Sequence, residues 1–255
     1  FASDFARRNN WQDKLHTGSL FARLLDDVLD AREILEGDSA SIEETSFYFE
    51  DGQLVVARDS HRSDEGFCFA AHGSNNGVSH NHNDVGSFML YYNGKPVLID
   101  VGVGVYTKKT FSSERYTIWT MQSGYHNLPT VNSTDQHAGK EFRARDVRFA
   151  DRGNTVSFSS DIAAAYPKEA GASQWIRSYT LKRKHRFTVT DRWKLNKLSG
   201  EQILNFMTVC TPEIKEDCLL LKDKDFTLKM KFDNRHLKPS VESIPLTDKQ
   251  LRNNW

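Results

Sequence analysis

The chain has 255 residues, and Lys plus Arg and Asp plus Glu both number 34, so the formal net charge is zero. No general basic field exists to draw in nucleic acid. Apolar residues make up 38 % and aromatics 11 %, too much for a disordered chain, and no run approaches the ~20 apolar residues of a membrane span.

The opening FASDFARRNNW carries neither Met nor a signal-like segment and reads as a chain cut from something longer, so the lack of a targeting peptide says little about the parent. Residues 11–36 give the one convincing helix. In SLFARLLDDVLDAREILE, Leu20, Phe21, Leu24, Leu25, Val28, Leu29, Ile34 and Leu35 recur at helical spacing, with Ser19 as cap and Gly37 as stop. Its apolar face must lie either on a sheet or within a helical domain that precedes it.

From residue 46 the pattern changes to short alternating strands. FYFEDGQLVVARD predicts a hairpin turning at Asp51-Gly52, and SFMLYYNGKPVLID predicts a second turning at Asn93-Gly94. GFCFAAH precedes the second hairpin. Further strands are expected in FRARDVRFADRGNTVSFSSD, WIRSYTLKRKHRFTVTDRWKL, QILNFMTVC, CLLLK and FTLKMKF. Such spacing, with Gly, Asn and Asp between strands, predicts a mainly β chain forming a large antiparallel sandwich. The run LKRKHR at 181–186 reads as a solvated strand face rather than a polyanion patch, because alternation splits it over two faces. Cys210 and Cys218 could meet across a hairpin, but Cys68, Cys210 and Cys218 read more simply as buried or free thiols. Asn132-Ser133-Thr134 matches an N-glycosylation pattern to which no weight is given, and the tail LTDKQLRNNW has no readable role.

The densest chemistry lies in SHNHND, residues 79–84. His80 and His82, two apart, are expected on one face of an extended chain. Folding at Asn93-Gly94 brings Asp100 close to His82, and His126 follows in SGYHNLPTVN. Two histidines and a carboxylate from three segments make a three-ligand zinc shell, although histidines at such spacing are more often ordinary hydrogen-bonding residues.

The order AAHGSNNGVSHNHNDVGSFMLYYNGKPVLIDVGVGVYT, then SGYHNLPTVN, resembles the heparinase II/III-like C-terminal domain of polysaccharide lyases. It reproduces that family's Gly-rich turn, H-x-H-x-D, Ser-Phe strand, G-K-P-x-L-x-D-x-G-x-x-x-Y and His-Asn pair, densely over about residues 66–135. The resemblance implies a β-sandwich over residues 41–255, preceded by a helical segment, residues 1–40, that closes a missing α/α toroid domain. It implies a structural zinc held by His82, Asp100 and His126. It implies catalytic roles for His80 and, more loosely, Tyr116, with Arg115 and Tyr106 binding substrate. Asp84 and Ser87 would support the turn. The plainer alternatives are that His80 is a turn hydrogen-bonder and that Tyr106 and Tyr116 are sandwich-edge aromatics.

The implied activity is β-elimination on a uronate-containing glycan such as heparan sulfate or alginate. That chemistry needs a group to offset the carboxylate, a base for the C5 proton and an acid for the leaving oxygen, roles that suit His and Tyr. The toroid would supply the remaining groups, so this chain would carry half an active site. Its expected partners are an acidic polysaccharide and that toroid, in the periplasm or secreted from a bacterium. The alternative is a non-catalytic carbohydrate-binding or scaffolding sandwich with a structural zinc.

Overall fold

The computed structural model describes residues 44–62 and 64–255. The expected helix at 11–36 and the helical segment 1–40 lie outside the described residues. Within them, alternation of side chains decides which strand face is buried. One antiparallel sheet has the order β1 (Ser46–Phe49), β2 (Leu54–Arg58), β3 (Phe67–His72), β5 (Phe88–Tyr92) and β6 (Lys95–Leu98). The two-residue β4 (Asn75–Asn76) leaves this sheet to pair with β8 (Gly139–Arg143). A second antiparallel sheet runs β9 (Arg145–Asp151), β10 (Thr155–Asp161), β11 (Ala172–Lys182) and β12 (Arg186–Leu195) in spatial sequence. The inward residues of both meet in one core, with Val55, Phe69, Phe88 and Val97 from the first and Val156, Phe158, Tyr179 and Leu181 from the second. Burying each of these large side chains contributes about 1.5–3 kcal/mol. The sandwich expected from the strand pattern is the observed fold.

The turns repay closer reading. Asn93 and Gly94 both take positive φ, 50° and 75°, between the paired Tyr92 and Lys95, as a two-residue mirror-image turn requires. The first hairpin turns over four residues instead, since Phe49 pairs with Leu54, and Gln53 at φ 49° carries the left-handed conformation expected at Asp51-Gly52. The expectation for LKRKHR is also corrected. β11 ends at Lys182, and Arg183, Lys184 and His185 form the turn to β12, with Lys184 at φ 60°.

Three smaller units complete the described chain. β7 (Pro129–Thr130) pairs with β13 (Ile203–Leu204), all that forms of the strand expected in QILNFMTVC. β14 (Thr211–Ile214), β15 (Cys218–Lys222) and β16 (Thr227–Lys231) make a meander. In it Thr211 lies opposite Lys222, so Cys210 and Cys218 sit at opposite ends of one hairpin, and all three cysteines are free. The unreadable tail forms a short helix, α1 (Lys249–Asn254), capped by the Asp248 carboxylate. Its Leu251 is buried against Ile99 and Val101, and Trp255 Nε1 donates to the Val101 carbonyl at 2.9 Å, bracing the segment that carries Asp100. No helix among the described residues is long and apolar enough to cross a membrane.

Candidate functional site

Residues 79–84 are a loop between β4 and β5, not a strand, so His80 and His82 do not share a strand face. His80 takes φ 57°, which rotates the chain between the two histidines and leaves His80 exposed and His82 buried. The loop is pinned from beneath. Gln136 Oε1 accepts from Val85 N at 3.0 Å and its Nε2 donates to the Val85 carbonyl at 2.8 Å, while Asn76 Oδ1 accepts from Asp84 N at 3.1 Å. The chain then bends at Gly86, φ 81°, where a Cβ would stand 2.7 Å from Ile162 Cγ2. Glycine is required there by both conformation and space.

Folding brings His82, Asp84, Asp100 and His126 together, with one potential ligand atom from each lying within 4.8 Å of all the others. His82 Nδ1 and His126 Nε2 face each other at 3.3 Å, and His126 Nδ1 lies 3.4 Å from Asp100 Oδ2. That last contact is an ion-pair distance without hydrogen-bond alignment, so Nδ1 of the fully buried His126 has no hydrogen-bond partner. Burial favours the neutral form of each group, and the partners then decide. Burial raises the Asp100 carboxyl, but His126 beside it outweighs this and holds it well below the usual carboxylate range. Burial likewise raises Asp84, and His72, whose Nε2 lies 3.5 Å from Asp84 Oδ2, outweighs it and pulls it down. His82 is lowered, first by burial and then by the neighbouring His126.

This donor set fits a divalent cation. Two half-buried carboxylates within one cluster favour compensating positive charge beside them. Burial, and then the neighbouring His126, disfavour the charged form of His82, which favours a ring nitrogen with a lone pair to offer. Two nitrogens on a tetrahedral zinc at ~2.05 Å stand about 3.3 Å apart, the separation found between the two imidazoles.

His126 is fixed through its neighbour. Asn127 Nδ2 donates to the carbonyls of Phe88 (2.6 Å) and Ile99 (3.0 Å), and its Oδ1 accepts from Met207 N at 2.7 Å. Buried Arg177, from β11, donates to the Asn127 carbonyl and grips Asp191 through Nε and Nη2 at 2.8 and 3.0 Å. The second sheet thus holds the His126 segment against the first.

On the exposed side, Asn81 is a hub. Arg115 donates to its carbonyl from Nε (3.1 Å) and Nη2 (2.9 Å), and the Tyr116 hydroxyl donates to its Oδ1 at 2.8 Å. Asn81 Nδ2 in turn donates to the His82 carbonyl at 2.8 Å. Arg115 and Tyr116 are therefore brought to the histidine loop, engaged with its backbone and amide. Tyr106 reaches it only indirectly, packing edge-on with Phe111, which in turn meets the His80 ring. A cavity of about 460 Å³ lined by Asp59, Glu65, Asp151 and Arg183 among others includes none of these residues.

Sequence reasoning missed His72, whose place in AAHG just before the Gly-rich turn was the available signal. It gave Asp84 only a turn role, although its carboxylate enters the cluster while its carbonyl does accept from Ser87 N. Asn127 was visible only as the second member of the His-Asn pair, with no role attached, while Asn81 and Arg177 had no readable signal, since their main partners are far away in sequence.

A family profile described as Heparinase II/III-like, C-terminal, matches residues 43–234. No curated protein is matched. Similar solved structures include a heparinase III with methylated lysines (TM-score 0.60, 17 % identity, 79 % of this chain and 31 % of that one). The heparan sulfate lyase HepC from Pedobacter heparinus gives TM-score 0.60 at 17 % identity over 80 % of this chain and 31 % of its own. A further heparinase III gives 0.56 at 14 % identity, covering 79 % of this chain and 32 % of that one. At these identities the likeness is one of fold, and the chain spans about a third of each of those structures.

Proposed function

The chain belongs to the heparinase II/III-like, C-terminal family, and from that membership we propose that it is the sandwich part of a polysaccharide lyase acting on a uronate-containing glycan. The observation that carries the reading is one short loop with a buried histidine in a cluster of two histidines and two carboxylates and, two residues away, an exposed histidine held at positive φ. His82, Asp100 and His126 would hold a divalent metal, best suited to zinc, with Asp84 offering a fourth donor, and when bound it would supply fixed positive charge tying these chain segments together. His80 then faces the glycan as the group that moves a proton or meets the uronate carboxylate.

In β-elimination the C5 proton goes to a base, its electron pair forms the C4–C5 double bond, and the C4–O bond breaks toward an oxygen that must be protonated. One histidine cannot fill all these roles. We assign the remaining groups to the part of the parent enzyme that an α/α toroid would contribute. Arg115 and Tyr116 first position His80 through Asn81; for Tyr116 to act as a reactant, its hydroxyl must release Asn81. Tyr106 extends the substrate surface. The parent would work in the periplasm or outside a bacterial cell, where such polymers are met.

A second reading, a non-catalytic carbohydrate-binding sandwich, draws on that same engagement of Arg115 and Tyr116 with Asn81, which leaves His80 as the one free reactive group of the three. Assaying the full-length parent on heparan sulfate, alginate and related polymers for the absorbance of unsaturated ends separates the two. Lyase activity abolished by His80→Ala supports the first reading. No new absorbance on any uronate polymer sinks it.

A further inference from the structure

The loop at 105–115 keeps large aromatic and cationic groups in solvent for which neither fold nor metal cluster has a use. Phe111 is 65 % exposed and Tyr106 is 50 % exposed. Their rings meet edge to face, with centroids 5.5 Å apart and planes at 85°, and Phe111 meets His80 in the same manner at 6.3 Å and 86°. The three rings thus form a continuous row leading away from the proposed reactive histidine.

This row is built rather than loose. Val105 N donates to Asp248 Oδ2 at 3.0 Å, Thr107 N donates to Thr110 Oγ1 at 3.0 Å, and Arg115 Nη1 donates to the Thr110 carbonyl at 2.9 Å. Thr110 is buried, so the short 3-10 turn Lys108–Phe111 is anchored while Phe111 projects from its end. Within 105–116 the sequence VYTKKTFSSERY sets three cations, Lys108, Lys109 and Arg115, against one acid, Glu114, a local excess of two positive charges on a chain whose net charge is zero. Lys108 and Lys109 are exposed and meet no carboxylate among the described residues.

We propose that Phe111, with Tyr106, Lys108 and Lys109, forms a binding subsite for one sugar ring of an anionic glycan, next along the chain from the residue that meets His80. This rests on the functional reading above and deepens it by naming where the polymer continues. The chemistry is that of an amphipathic ligand. The C–H face of a pyranose is apolar and weakly positive, and it settles on the negative face of an aromatic ring. The carboxylate or sulfate groups at the ring edge then meet the two ammonium groups. A purely protein partner for so exposed a ring would favour an apolar surround, which the lysines do not provide.

The test is direct binding of a size-defined heparan sulfate oligosaccharide to the 255-residue chain, by calorimetry at low and at moderate salt. A desulfated, carboxyl-reduced oligosaccharide of the same length is the comparator. Phe111→Ala should weaken binding roughly tenfold with an unchanged melting temperature, and Phe111→Trp should restore it. Lys108→Ala with Lys109→Ala should weaken binding by a similar factor and flatten its salt dependence, since each exposed ion pair is screened. The reduced oligosaccharide should bind more weakly than the native one to the wild type and no differently to the lysine variant. Wild-type chain that binds neither probe overturns the subsite. So does Phe111→Ala that binds as wild type, including the case where that change alters self-association instead and marks Phe111 as a protein contact. Because catalysis is not read, the subsite and the lyase reading fail separately: binding lost with Phe111 in a parent that yields no unsaturated ends keeps the first and discards the second.

Discussion

Removing the carboxylate of Asp191 tests how the second sheet holds the site. Arg177 is fully buried and Asp191 nearly so, and the two meet through a two-bond fork at 2.8 and 3.0 Å. Trp175 Nε1 donates a further hydrogen bond to Asp191 at 2.8 Å. Asp191→Ala strands a buried guanidinium and an indole N–H, and breaking such a pair from one side costs about 3–5 kcal/mol. Against a total stability on the order of 5–15 kcal/mol, that is a large share. At about 2–4 °C per kcal/mol for a domain of this size, the melting temperature should fall by roughly 6–20 °C. Urea unfolding followed by tryptophan fluorescence would give the free energy. The double variant Arg177→Met with Asp191→Leu leaves no stranded charge and should be less destabilised than Asp191→Ala alone. A loss under ~1 kcal/mol for Asp191→Ala, or a double variant as unstable as the two single changes summed, would refute the account of a desolvated, mutually dependent pair.

Three further outcomes are expected. His82→Ala should abolish metal retention measured by elemental analysis; zinc at a thousandfold its Kd should add about 4 kcal/mol to the wild type and nothing to the variant. His80→Ala in the full-length parent should keep metal content and melting temperature but lose most of kcat; loss of the metal instead would reverse the roles of the two histidines. Arg183 donates to Asp151 from two nitrogens, and these bonds, against a small burial effect and helped by Ser46, pull the Asp151 pKa down to about 2. Its contribution is therefore present above the ordinary carboxylate range and is lost as pH falls toward 2, and for a partly exposed pair it amounts to under ~1 kcal/mol. Stability measured between pH 5 and 2 should show a shallower acid loss in Asp151→Asn.

The sandwich was legible because alternation is a local signal. In β10 and β11 every second residue is buried along nearly the whole strand, and the sequence shows the same period. The Asn93-Gly94 turn was legible for a similar reason, since both residues tolerate positive φ. Asp51-Gly52 misled because a four-residue loop moves the left-handed position to Gln53, a residue without that preference. The strand assigned to SHNHND failed because polar residues at alternate positions do not by themselves bury a face. Within the site, His82, Asp100 and His126 were recoverable from motif order, and they do converge. Arg177 was not, since a buried charge is defined by partners in other strands and no local pattern announces it.

The two histidines of one short loop diverge because Asn81 stands between them. A non-glycine residue in the left-handed region, as His80 is, costs on the order of 1–2 kcal/mol. Four hydrogen bonds to and from Asn81 oppose that cost, two of them from a guanidinium. At about 0.5–1.5 kcal/mol for a neutral bond and 1.5–3 for one to a charged group, they exceed the strain. The loop is therefore locked in the conformation that buries His82 and exposes His80, and the lock is made of Arg115 and Tyr116. Residues that family resemblance assigns to the sugar are thus already bonded to the loop that carries His80, the proposed reactive histidine. Their substitution should be felt through the placement of His80 before it is felt through any lost contact with substrate.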